Sequence, residues 1–558
     1  MKENLVLKIH PEDNVLVALS DLKKGTNISF SNSVYKLNET VKSKHKFSIK
    51  KLDIGEYIYM YGVIVGKAKK KILIGDLISQ KNIEHFVENY SLQQFVEKNI
   101  WLKPDISNFK NLTFNGYYRS NGSVGTQNNW IVIPLVFCEN RNVDLMKRIL
   151  LKKLGYEKND YEYDVDQLIS DYKSGISTDK LLEKNIIKTD NFNLKNKLFK
   201  NVDRIQFLTH DGGCGGTRYD ANSLCMLLAG YINNPNVGGA TIISLGCQNA
   251  QINILKKYIN KISPDFKKPI YYLEQQQSKS EKEFIAEAVK KTFVGIIKIN
   301  EIKREPSPLN KLIVGLECGG SDGFSGISAN PTLGLISDII VALGGRTILS
   351  EFPELNGVEK ELIKRCNNLK NAEKFVSIMQ SYKNWAEKFE SGFFDNPSPG
   401  NIKDGLITDA IKSAGAAKKG GISPIVDILD YGEQIKENGL SLLCTPGNDV
   451  ESTTGLAGSG ANIILFTTGL GTPTGNPITP VIKISSNSGL YNKMKDIIDF
   501  DCGKIIDGKS TIQKTAEKLI YYIIEIASGN KITNSNKLNQ NDFIPWKRGV
   551  SLLSLIHI

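Results

Sequence analysis

The sequence predicts an α/β fold, with a small N-terminal β-rich module followed by two α/β blocks on largely parallel sheets. Three observations carry this. Residues 1–85 hold short alternating apolar stretches separated by glycine turns. From about residue 114 apolar strand-like runs alternate with helical patterns. The strands between helices are nearly continuous in apolar residues, as in parallel sheets covered on both faces. A chain of 558 residues divides into three or four domains at roughly 150 residues each.

In the first module the strand-like stretches are 5–9, 15–18, 47–49, 57–65 and 72–77, with turn signals at Gly25, Gly55, Gly66 and Gly75. Residues 86–113 read as a linker with a helix near 91–98. In the block 114–300, strands at 130–137, 204–209, 240–245 and 270–273 precede helices at 142–155, 219–231, 249–261 and 279–292. Ser278 and Glu281 have capping-box spacing ahead of the last of these. The block 301–552 opens with a strand at 312–316 and a helix at 331–343, then strands at 425–429, 440–443, 462–466 and 481–484. The tail 553–558 resembles the translation of a sequencing adapter and is set aside as an artefact.

Composition narrows the function classes. The apolar fraction of 41% and charged fraction of 23% are those of a globular protein. The net charge of +12 is spread as lysine over ordinary surface stretches such as 67–71. No Lys/Arg block alternates with aromatics, so no nucleic-acid partner is expected. No stretch reaches the ~20 apolar residues of a membrane span, and the N-terminus has no apolar leader. The eight cysteines are scattered, which does not suggest a disulfide framework. A cytoplasmic, reduced protein is expected, with thiols available as ligands or nucleophiles.

The chemistry concentrates where a buried strand runs into a Gly-rich turn and a helix follows, the edge at which open α/β sheets bind ligands. Four segments qualify. His210 to Arg218 packs His, Cys, Asp and Arg among glycines. Gly246 to Gln251 carries Cys247 and Asn249. Glu317 to Gly326, closed by Asn330-Pro331, carries Cys318, Ser321 and Asp322. Pro446-Gly447-Asn448-Asp449 is followed downstream by 467–473. Backbone amides at such turns are ready donors to an anionic substrate, and Arg is a natural carboxylate partner. A lone Cys or Gly-Gly turn is usually structural; several together point to a site. Residues 503–510 fit P-loop spacing, but Asp507 sits where phosphates need amides. Residues 319–323 fit Gly-x-Ser-x-Gly without a following His for a triad. The sequence has five His, so a metal site would mix His, Cys and carboxylate, which suits iron, manganese or zinc better than magnesium.

These motifs resemble the altronate/galactarate dehydratase family over nearly the whole chain, which implies that the small N-terminal module is of the β-clip-like SAF type. The small module matches at 9–15, 24–26, 45–47 and 61–66, and the large portion opens with 114–126. The family's His-x-x-Gly-Cys lies at 210–214 and its Gly-Cys-x-Asn-x-Gln at 246–251. The long Glu-Cys-Gly-Gly-Ser-Asp-x-Phe-Ser-Gly-Ile-x-Ala-Asn-Pro is complete at 317–331. Further matches are 396–401, 446–449 and 466–473. Two places depart. Relatives end the small module in His-x-His-Asn where this chain has Ser79-Gln80-Lys81-Asn82, with His85 three residues on as either a substitute or a surface residue. Many relatives also carry Pro-Tyr where this chain has Asp211-Gly212.

The resemblance implies a metal-dependent hydro-lyase that removes water from a sugar acid to give a 2-keto-3-deoxy acid, with Fe(II) or Mn(II) as cofactor. D-altronate, giving 2-dehydro-3-deoxy-D-gluconate, is the leading substrate. Galactarate dehydration, sulfolactate desulfonation and a sugar-acid binder without catalysis are the alternatives, and homo-oligomerisation is left open. The expected metal ligands are His210, Cys214 and Cys318, with Cys247 in reserve. His45, Glu317, Asp322 and Asp449 are the expected proton-transfer groups. Arg119, Arg218, Asn249, Ser321, Asn330 and Asn448 are expected to bind the polyhydroxy acid.

Overall fold

The computed structural model describes residues 5–97, 100–157, 163–187 and 197–549; the suspected adapter tail lies outside them. In the small module, one antiparallel sheet runs Val6–Leu7, Val15–Ala18, Lys46–Ser48, Leu77–Ile78. A second runs Tyr57–Met60, Val63–Ala68, Ile83–Glu84. The single stretch expected at 57–65 is thus a hairpin. Tyr61 and Gly62 take φ +60° and +79° at its tip, the backbone of a tight two-residue loop. The stretch 72–77 contributes only a bridge at Ile72 and the start of Leu77–Ile78. A further hairpin, Asn27–Phe30 with Ser33–Lys36, escaped the sequence reading because Ser31 and Asn32, not glycine, make its positive-φ turn. The helix expected near 91–98 is one 3-10 turn, Leu92–Gln94, capped by Ser91.

The second block is a parallel sheet of β1 (Asn129–Pro134), β2 (Arg204–Phe207), β3 (Val237–Ser244) and β4 (Ile270–Glu274), in the order β2-β1-β3-β4. The helices α1 (Asn140–Leu154), α2 (Arg218–Asn233), α3 (Ile252–Ile262) and α4 (Glu281–Asn300) alternate with the strands along the chain. Ser280, not Ser278, caps α4 by accepting from the Glu283 amide. Trp130 of β1 is fully buried, and glycines make room for it: a Cβ on Gly295 of α4 would lie 2.0 Å from its ring.

The third block carries β5 (Ile313–Cys318), α5 (Ala329–Ala342), β6 (Arg346–Leu349), α6 (Asp409–Ala416), β7 (Ile425–Leu429), β8 (Gly439–Leu443), α7 (Asp449–Gly458), β9 (Ile463–Thr468), β10 (Val481–Ser485), β11 (Phe500–Asp501) and α8 (Ile512–Ala527). Its seven strands are all parallel, in the order β7-β8-β6-β5-β9-β10-β11. From β5 the chain builds outward through β6, then returns to lay β9 on the other flank. The order therefore reverses between β5 and β9, where ligand crevices form in open parallel sheets. Two of the motif loops leave the sheet there.

Buried asparagines join the two large blocks. Asn462 donates to the Val124 carbonyl (2.9 Å), Asn236 to Asn462 and Ile478, and Asn129 to Ile478. The small module plugs into the third block through 44–46. Lys44 Nζ lies 3.0 Å from Asp322 and 2.8 Å from Asp404. Lys46, fully buried, donates to the Gly405 carbonyl at 2.7 Å. A Cβ on Gly323 or Gly405 would strike the Lys44 carbonyl oxygen at 2.6 or 2.5 Å, so glycine at both positions makes the socket. His85 pairs with the buried Asp409 of α6, whose other oxygen accepts from Asn356 at 2.6 Å; it is an inter-block contact, not a plain surface residue. In the segment 79–82, Gln80 reaches the Ile407 carbonyl. Among the described residues no helix is long and apolar enough to cross a membrane.

Candidate active site

At the end of β5, a buried charged cluster surrounds Cys318. The Cys318 amide donates to Glu351 (3.1 Å) and its thiol to Glu354 (3.0 Å). Lys419 Nζ donates to Cys318 Sγ at 2.7 Å and to Glu351 at 2.6 Å. Lys412 pairs with the other oxygen of Glu354 at 2.6 Å and also donates to Asn396. Ser350 and Ser452 both donate to Glu317. Glu317, Cys318, Glu351, Glu354 and Lys419 are all at most 2% exposed, so each charge depends on its neighbours. Burial, then the charge of Glu351, holds the Glu317 carboxyl well above the usual range. Burial, then Glu351 and Glu354, pushes the Cys318 thiol well up. Burial opposes the charge on Lys419, but Cys318 and the glutamates outweigh it and hold the ammonium charged. Glu351 sits at φ +69°, a left-handed conformation that costs a non-glycine residue of order 1–3 kcal/mol. Its amide is anchored by Thr445 at 2.8 Å.

Asp449 opens α7 from beside this cluster. A Cβ on Gly319 would lie 2.2 Å from its carboxylate, so the bare glycine lets Asp449 approach the end of β5. Thr472 donates to it at 3.2 Å. Burial, then Glu351, pushes its carboxyl up to about 6. Unlike Glu317 it remains partly open to solvent. Asn448 caps the same helix through the amides of Val450 and Glu451.

The other expected residues fall into different surroundings. Asp322 is sealed, accepting from Phe324, Ser325, Ser486, Asn487 and Lys44; it is the keyhole for the small module. Asp322→Ala is expected to cost about 1–3 kcal/mol by leaving its buried donors unsatisfied, although Lys44 keeps Asp404, seen as a lowered unfolding midpoint; a variant that melts with the wild type would contradict the role. The Ser321 carbonyl accepts from Asn401. His45 stands on the joint, its Nε2 3.1 Å from the Lys403 carbonyl. A carbonyl can only accept, so Nε2 carries the proton, and burial lowers the imidazole below its ordinary range. Arg119 donates to Pro235, Asn128 and Gln127, and Asn330 bridges Gly415 to Thr467. Both are buried braces in this arrangement.

On the second block, the Ala250 amide donates to the Gly213 carbonyl, tying two motif loops together. They line a pocket with Asp211, Cys214, Asn249, Tyr431, Trp546 and Lys547. Cys214, Cys247 and Arg218 are exposed. His210 donates from Nε2 to the Pro134 carbonyl (2.7 Å) and accepts at Nδ1 from Gly212 (3.1 Å), leaving no free ring lone pair. Among the described residues, the group able to hold a metal through three donors is Cys318, Glu351 and Glu354, all within 4.8 Å. His210, Cys214 and Cys247 belong to no such group. The expected four-ligand set is therefore not assembled, and only Cys318 of it lies with metal-type donors. One thiol and two carboxylates are a mixed donor set that suits iron, manganese or zinc better than magnesium.

Glu351, Glu354, Lys412, Lys419 and Lys44 escaped the sequence reading. The carboxylates of Ser350-Glu351-Phe352-Pro353-Glu354 follow the short strand β6, and strand-end acids were the available signal. The lysines sit on helical or irregular segments with no distinguishing pattern.

The cluster thus lies at the strand ends of an open parallel sheet, beside its switch point, the edge at which such α/β folds bind ligands. Three family models match the chain. The altronate/galactarate dehydratase SAF domain covers 4–86, the D-galactarate dehydratase/altronate hydrolase second domain 116–300, and the D-galactarate/altronate dehydratase C-terminal domain 309–551. The chain belongs to the altronate/galactarate dehydratase family. The altronate dehydratases of Bacillus subtilis and Escherichia coli are 32% and 33% identical to it, each over 553 residues, 98% of this chain and 99% of the relative. The galactarate dehydratase (L-threo-forming) of Escherichia coli is 29% identical over 538 residues, 95% of this chain and 94% of the relative.

Proposed function

We propose that the protein is a metal-dependent hydro-lyase that dehydrates D-altronate to 2-dehydro-3-deoxy-D-gluconate. The observation that carries this is end-to-end similarity to altronate dehydratases. The C2 proton, beside a carboxylate, is weakly acidic because its removal builds a second negative charge. Cys318, Glu351 and Glu354 would hold a divalent ion of the Fe(II) or Mn(II) type, which would supply positive charge against the charge that builds up. Asp449 is the group to take the C2 proton. It is the partly open carboxyl beside the cluster, and its elevated pKa suits a base working near neutrality. Thr472 orients it. His45, a neutral imidazole on the module's rim whose Nε2–H is held by the Lys403 carbonyl, is the candidate acid/base group, passing to the departing C3 hydroxyl a proton that it first takes up at Nδ1. Asn448, Ser321, Asn249 and Arg218 border the loops and are candidates for holding the sugar hydroxyls and carboxylate.

Galactarate is the second reading, carried by the relative at 29% identity. An anaerobic panel of altronate, galactarate and sulfolactate, read as 2-keto acid or sulfite, separates the substrates. Altronate is expected to give the highest kcat/KM. Ligand-induced thermal shift with no turnover on any of them would instead indicate a binding protein. Cys318→Ser is expected to lose most of the bound metal, measured by elemental analysis after anaerobic reconstitution; full metal content with full activity would remove the thiolate from the site.

A further inference from the structure

Lys419 holds the place that a metal would have to contest. Its ammonium touches two of the three donors, Cys318 Sγ at 2.7 Å and Glu351 at 2.6 Å, and lies 3.8 Å from the third, Glu354. It is 1% exposed, so water does not share in its solvation. Without a cation here, Glu351 and Glu354 would be buried beside one another with Lys412 alone as counter-charge, and Lys412 is spent on the outer oxygen of Glu354. A buried carboxylate without a partner is costly, and Glu351 is also held in a left-handed backbone conformation. Something positive must keep the donors gathered when no metal is present.

We propose that Lys419 is a resident counter-ion that keeps the metal site assembled when empty and is displaced from the donors when the metal enters. This rests on the placement of the metal at Cys318, Glu351 and Glu354 proposed above. The exchange is a substitution of one cation for another with no redox change. Like charges inside a protein repel strongly, so Lys419 lowers the site's affinity while preserving its geometry. It is a positioning residue, not a catalytic one. The same logic predicts opposite effects on the two states, which a merely structural lysine would not produce.

The test is Mn(II) titration of the metal-stripped full-length protein by calorimetry, with unfolding midpoints taken with and without Mn(II). Lys419→Met is expected to bind Mn(II) at least tenfold more tightly than wild type, while its metal-free form melts lower and recovers more on adding Mn(II). Lys419→Gln, similar in length and still polar, serves if the methionine variant does not fold, with the same direction expected. Lys412→Met, which removes a charge bonded, among the three donors, only to the outer oxygen of Glu354, is expected to change the affinity less. If wild type binds Mn(II) and loss of the Lys419 charge leaves the affinity unchanged or weaker, the counter-ion role is overturned and the metal placement stands. If neither protein binds Mn(II), or Cys318→Ser binds as wild type does, the placement itself fails and the counter-ion role with it.

Discussion

Asp449→Asn is expected to lower kcat by about 10²–10⁴-fold, the range for losing a positioned general base, with little loss of stability. Asparagine keeps an acceptor for Thr472 and fits beside Gly319 as the aspartate does. The pH dependence gives an independent check. The carboxyl is pushed up to about 6, by burial and then by the neighbouring Glu351 and Glu354, while Thr472 works in the opposite direction. Only the carboxylate accepts a proton, so wild-type kcat/KM should fall as pH drops through about 6, and that limb should vanish in the asparagine variant. Thr472→Val removes a bond to the charged form and should move the limb to higher pH. The stability sign runs the other way. A carboxyl whose folded pKa exceeds its unfolded value of 3.8 loses stabilisation as pH rises between the two. The asparagine variant should therefore be no less stable than wild type at pH 7. A variant that unfolds more easily yet keeps its acid limb would show Asp449 to be structural.

Glu351→Gln should combine loss of function with loss of stability. The wild-type carboxylate accepts from the Cys318 amide, pairs with Lys419 and is a proposed metal ligand. Neutralising it leaves Lys419 buried beside a protonated thiol, and breaking one side of a buried ion pair costs about 3–5 kcal/mol. Metal content should fall toward background. The enolate charge would then lack several kcal/mol of stabilisation, which at 1.36 kcal/mol per decade is about 10²-fold or more in kcat. The double variant Glu351→Gln/Lys419→Met separates the two effects. Removing both members of a buried pair is often close to neutral, so stability should largely return while activity does not. A single variant with wild-type midpoint and turnover would place the chemistry elsewhere.

Much of the scaffold was legible in the sequence because its strands are buried on both sides and so read as continuous apolar runs. Val481–Ser485 and Ile425–Leu429 stand within a residue of where periodicity put them. Arg346–Leu349 did not register: four residues opening on a half-buried Arg give too little pattern. The small module was read less well. Its strands are short, and its turns use Tyr61, Ser31 and Asn32 at positive φ, positions a search for glycine passes over. At the site, strand-end glycine turns led to Cys318, Asp322 and Asp449, since those residues share a local motif with their glycines. Pairings across long chain separations were not accessible. Lys44 meets Asp322 and Lys419 meets Cys318, and no local periodicity announces either contact. Arg119 and Asn330 looked like ligand binders because buried and binding polar groups have the same residue types; only their main-chain partners tell them apart.

The most direct measurement is anomalous diffraction from crystals reconstituted anaerobically with Mn(II) and soaked with altronate. The manganese peak is expected within coordinating distance of Cys318, Glu351 and Glu354, with the sugar acid reaching Asp449 and Lys419 moved off the thiol. A peak in the loops of His210, Cys214 and Cys247, with Lys419 still bonded to Cys318, would contradict the proposed centre.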